Sequence, residues 1–124
     1  MDKFEFIDKQ MAAITVPYQF GEWSSKVEYP YFVGEITEEP ITTEDGAEES
    51  TMILTGWNRG KYIVLEEAKK KIKKHFPAIE GLSAETDSGA IVVFFDGAFP
   101  VPSGEGDLKK IEIHLKIKEW KGDL

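Results

Sequence analysis

The chain has 124 residues, a formal net charge of -8 and no cysteine. That length suits a single domain, residues 1–124, and an apolar fraction of 41% suffices for one core. Without Cys, a disulfide framework, a thiolate metal site and a thiol nucleophile are all excluded.

The acid excess argues against a general nucleic-acid binder, because phosphate contacts need clustered Lys and Arg. No apolar run of about 18 residues is present to span a bilayer. The start, MDKFEFIDKQ, lacks the basic and apolar regions of a signal peptide. A soluble protein made in the cytoplasm is the expectation.

Phe4, Ile7, Met11 and Ile14 recur at the spacing of one helical face, so a short N-terminal helix is expected, capped by Asp2 and stopped by Pro17. Phe4-Glu5-Phe6 could instead begin a strand. Residues 17–28 read as an irregular connection carrying Phe20 and Trp23. Pro30 then introduces a strand through Tyr31, Phe32 and Val33, since a strand's first position tolerates a missing donor. Its partner is Ser50–Trp57, with Met52 and Leu54 on one side and Ile53, Thr55 and Trp57 on the other. Between them, Glu38–Glu49 holds six carboxylates and no base, with Asp45-Gly46 as a turn signal. A long, solvated hairpin tip is expected there.

Leu65, Ala68, Ile72 and Phe76 form the stripe of the main helix, which Pro77 ends. Glu66 and Glu67 near its start and the lysines near its end counter the helix macrodipole at both termini. Ala90–Phe95 is a continuous apolar run expected to be a central strand buried on both faces, followed by a loop, AFPVPSGEGD. Ile111, Ile113, Leu115 and Ile117 alternate with polar residues in the last strand, so one of its faces is buried and one wet. The expected architecture is α+β: a mostly antiparallel sheet of about four strands with a long hairpin, one main helix and a short N-terminal helix. No parallel βαβ pattern is evident.

No constellation points to catalysis. His75 and His114 are the only histidines, and no spacing converges them on a metal. The acidic stretch has a glycine but not the alternation of a calcium loop. Paired glycosidase carboxylates need a rigid cleft, whereas these crowd a loop. Ser103-Gly104-Glu105-Gly106-Asp107 lacks the Lys-Ser/Thr ending of a phosphate loop and precedes a strand. No catalytic, cofactor or metal residue is therefore assigned. The remaining candidates are contact residues: Glu38, Glu39, Glu44, Asp45, Glu48 and Glu49 in the hairpin, and Lys70, Lys73 and Lys74 on the helix. An acidic loop and a basic helix on one domain suit a head-to-tail contact between copies, which uses two different patches.

YPYFVGE, EDGAEESTMILTGWNRG, LEEAKKKIKKHF and VPSGEGDLKKIEIHLKIKEW together resemble small prophage proteins encoded among head and tail genes. The layout is similar to that of tail terminator and head–tail joining proteins of long-tailed phages. The resemblance covers most of the chain, from about Phe20 to Trp120. It implies a non-enzymatic structural subunit that forms a ring, hexameric in such families, and meets tail or connector proteins. It also implies a location in the bacterial cytoplasm during assembly and then in the virion tail. The alternative is a small-molecule-binding module using Tyr18, Phe20, Trp23, Tyr29, Tyr31 and Trp57 as an aromatic-lined pocket.

Overall fold

A computed structural model describes residues 2–24, 26–42, 46–86 and 89–121, with the side chains of 39–42 and 121 left aside. The elements run α1 (Lys3–Ala13), β1 (Tyr18–Phe20), β2 (Tyr31–Thr42), β3 (Glu48–Arg59), α2 (Ile63–His75), β4 (Leu82–Thr86), β5 (Gly89–Val101) and β6 (Leu108–Lys121). All strands join one six-stranded sheet in the order β1-β2-β3-β6-β5-β4. Every neighbouring pair is antiparallel except β1 and β2. The fold is therefore α+β with a mixed, curled sheet of six strands, and the expectation of about four mostly antiparallel strands is corrected.

The two extra strands lie where the sequence reads as connection. Tyr18, Gln19 and Phe20 pair parallel with Phe32, Val33 and Gly34, so part of the expected irregular segment 17–28 is sheet. Leu82–Thr86 is too short and too mixed to show a period, yet it pairs with β5 from Val93 back to Gly89. Two long strands also outrun their expected ends. β2 continues through Pro40 to Thr42 and β3 resumes at Glu48, which shortens the hairpin tip from the expected 38–49. β5 continues through Phe99 and Pro100 to Val101, where a loop was expected.

Both prolines are tolerated for the same reason. β1 covers β2 only at 32–34, and β4 covers β5 only at 89–93. Beyond those points each strand is an edge, where a missing amide breaks no ladder. A bulge precedes each extension's far end, between Glu38 and Thr42 and between Phe95 and Ala98. β5 is consequently second from the edge; the centre belongs to β3 and β6.

Both helices contribute to a single core on one face of the sheet. Phe6, Ile7 and Met11 of α1 and Leu65, Ile72 and Phe76 of α2 meet Phe32, Met52, Leu54, Ile91, Val93 and the four β6 residues Ile111, Ile113, Leu115 and Ile117. Each fully buried large apolar side chain contributes about 1.5–3 kcal/mol. Asp2 caps α1 as its position predicts, accepting the Glu5 amide at 2.9 Å. The α1 stripe is rotated from expectation, however: Phe4 is 39% exposed, and Lys3 sits on the inner side with Phe6 and Ile7.

Tyr18 packs against this core, and its hydroxyl is buried with no hydrogen-bond partner. Burial, and secondarily the charge of Asp8, pushes its pKa well above the usual tyrosine range. A raised folded-state pKa costs stability as pH rises above about 10, where only the unfolded phenol ionises. Tyr18→Phe removes an unsatisfied hydroxyl and should stabilise by up to about 1 kcal/mol. Denaturant melts from pH 8 to 11 should also show a shallower alkaline fall for this variant than for the parent chain.

Candidate interaction surfaces

The lysines of α2 leave the body of the protein as a local positive patch. Lys70, Lys73 and Lys74 are exposed, and among the described residues none forms an ion pair. Lys69 differs, being bound to Glu66 at 2.7 Å one turn earlier. Lys73 lies 5.8 Å above the Phe95 ring. Lys74 shares the wall of an open cleft of about 460 Å³ with Ile14, Lys71 and His75. Its wall is cationic over an isoleucine.

The carboxylates do not gather as the sequence suggests. Glu44 and Asp45 lie outside the described residues, as does the side chain of Glu39. Glu38 accepts from the Lys3 ammonium at 2.6 Å. Glu49 turns onto the sheet's outer face, 3.6 Å from Lys118 and 3.9 Å from Lys116. Glu48 is exposed at the foot of the hairpin. Glu38 and Glu49 are thus already partnered within the chain, because the strands extend further than the polar composition implies.

Lys3 is the residue that the sequence reading missed. It is only 8% exposed and lies 3.4 Å from Glu119 as well as touching Glu38. Burial by itself would lower its pKa, but the hydrogen bond to Glu38 and the charges of Glu119 and Glu38 outweigh it, and the net shift is upward. One side chain therefore joins the first helix, the hairpin arm and the last strand. Stepping four residues back from Ile7 along the helical stripe reaches Lys3, which is the signal that marks it.

The histidines stay apart. His75 Nε2 lies 2.6 Å from Gln10 Oε1, and His114 Nε2 lies 2.8 Å from Glu112 Oε2 with Phe99 edge-on to its ring. Among the described residues no cluster of three metal-ligating side chains occurs. The glycine-rich loop after β5 is held as a turn: Ser103 Oγ donates to Leu108 O at 2.6 Å and accepts the Glu105 amide at 3.1 Å. Arg59 clamps its far side through Asp107 at 2.8 Å and Glu105 at 3.5 Å. Asp107 is the main reason the Arg59 pKa rises further.

The sheet face opposite the helices carries the aromatic residues. Tyr31 and Trp57 are cross-strand partners stacked at 5.0 Å and 21°, with Trp23 at 5.0 Å and Tyr29 at 5.6 Å from Tyr31. Arg59 covers Tyr29 at 5.6 Å and Lys110 covers Trp57 at 5.8 Å. Of the other aromatics proposed to line a pocket, Tyr18 belongs to the core and Phe20 packs edge-on against Phe4 at 4.9 Å. An open cleft of about 410 Å³ lies beside the cluster, lined by Pro17, Trp23, Lys26, Glu28, Tyr29 and Pro30. The rings spend much of their faces on one another and on the two cations, as in a small second cluster that closes the outer face.

No protein-family model and no curated protein sequence matches this chain. No helix among the described residues is long and apolar enough to cross a membrane.

Proposed function

We propose that this chain is a non-catalytic structural subunit of a long-tailed phage or prophage, acting in tail assembly as a tail terminator or head–tail joining protein. The observation that carries this reading is the unneutralised lysine face of α2 on a chain of net charge -8. With Lys70, Lys73 and Lys74 unpaired with carboxylates among the described residues, they are available to the acid-rich β2–β3 connection of a neighbour. Such a contact joins two different surfaces, and repeated copies close into a ring when the rotation between neighbours closes. The resemblance of the motif set to tail terminator and head–tail joining proteins supports the same role. The ring's other partners are tail-tube or connector proteins.

Exposed ion pairs contribute about 0–1 kcal/mol each and weaken with salt. The contact therefore depends on several of them acting together. Light scattering after size exclusion should show a larger species at low salt that shrinks as salt rises. A Lys70→Glu, Lys73→Glu, Lys74→Glu triple variant should lose this salt-dependent larger species with an unchanged melting midpoint. A parent chain that is monomeric at high concentration and fails to bind tail-tube protein would sink the reading.

A further inference from the structure

The two edges of the sheet are built differently. On the β1 side, the edge is guarded: β1 is three residues long, and the uncovered part of β2 carries Glu35, Glu38, a proline and a bulge. These are devices that stop strands from adding to a sheet. On the other side, β4 is guarded only by its length of five residues and by Glu85. Its sequence is Leu-Ser-Ala-Glu-Thr, with no Lys, no Pro and no bulge, and β5 is its only strand partner. Ile79, just before it, is 91% exposed.

The direction of the open backbone groups follows from one hydrogen bond. The Phe95 amide donates to Phe76 O at 3.0 Å and so faces away from β6. Backbone groups alternate along a strand, so Gly89, Ile91 and Val93 also face the β4 side. Their partners Thr86, Ala84 and Leu82 then face β5, leaving the amides and carbonyls of Ser83 and Glu85 pointing outward.

We infer that β4 pairs with β4 of a second copy, antiparallel about a two-fold axis at Ala84, joining two six-stranded sheets. In that register Ser83 of each copy faces Glu85 of the other, so every outward backbone group is matched. Each carboxylate meets a hydroxyl donor. Ala84 meets Ala84, and Leu82 meets Thr86, on the face that continues the core. Pairing β4 with the β2 edge instead would set Glu85 against a strand bearing Glu35, which charge repulsion opposes. The two-fold contact is isologous and closes at two. It is separate from the charged contact through α2 and stands whether or not that contact forms.

So small an interface is weak, and sedimentation equilibrium should find dimer at about 0.1–1 mM protein. Ser83→Pro deletes an outward amide without touching the β5 ladder and, at salt high enough to suppress the charged α2 contact, should return the chain to monomer. Ala84→Cys supplies the chain's only thiol. A non-hydrogen-bonded cross-strand pair sets the two Cα atoms about 4.5 Å apart, so this variant should oxidise to a linked dimer about ten-fold faster than a Glu35→Cys control. Equal oxidation rates, or a parent chain that is all monomer at about 1 mM, overturn the inference. So does preferential cross-linking between Ala84→Cys and Glu35→Cys chains in a mixture, which would mean that β4 meets β2.

Discussion

Phe76→Ala should destabilise the chain by about 4 kcal/mol, within the usual 3–5 kcal/mol range for a buried phenylalanine. The side chain is fully buried at the point where α2 ends, among core residues from both helices and the sheet. Its backbone is equally committed. The Phe76 amide closes the last turn of α2 on Ile72 O at 2.9 Å, and its carbonyl accepts from Phe95 at 3.0 Å. Removing the ring leaves a cavity where the end of α2 and β5 are joined by a hydrogen bond. Phe76→Leu fills most of that volume and should cost less than half as much. Urea unfolding followed by far-UV circular dichroism measures both. An alanine variant within about 1 kcal/mol of the parent would mean that the site collapses freely.

Gly56→Ala should cost about 3 kcal/mol, the upper end of what overpacking a core costs. Gly56 lies directly across from Phe32 in the β2–β3 ladder, and a Cβ added there would come within 2.3 Å of the Phe32 ring. The ring is fully buried, so the added methyl must displace it within the core. Shortening it should relieve the clash, so Phe32→Leu in the Gly56→Ala background should recover part of the loss. Contacting residues are expected to couple by about 0.5–3 kcal/mol. Additive single and double variants would show that the glycine is needed for its backbone and not for the space it leaves.

Strong periodicity made some elements readable. The four-residue stripe of α2 and the strict alternation of β6 each commit a whole face to the core, and both lie where their spacing puts them. Asp2 was legible as a cap because its chemistry acts locally. What failed was non-local. Tyr18–Phe20 and Leu82–Thr86 are strands because a neighbour offers them an edge, and no short window of sequence records that neighbour. Pro40 and Pro100 signalled loops, yet each sits where its strand has lost one partner and needs no amide on that side. Of the residues proposed for contacts, the lysines' exposure was legible and the carboxylates' pairing was not. The lysine patch stands as spaced, whereas Glu38 and Glu49 are tied to Lys3, Lys116 and Lys118 from distant segments.

The strand order places β6, the last of the described strands in sequence, in the middle of the sheet, between β3 and β5. During synthesis the chain emerges as two separate pieces, a β2–β3 hairpin and a β4–β5 hairpin, with α2 between them. Neither can join the other until β6 has left the ribosome. Until then two strand edges that will be interior are bare, and the apolar faces on either side of them are uncovered. Ile111 through Ile117 then close the core in a single step of long-range pairing, the slow kind. A chain interrupted before residue 108 is thus left as two unsatisfied half-sheets with no smaller folded state to rest in.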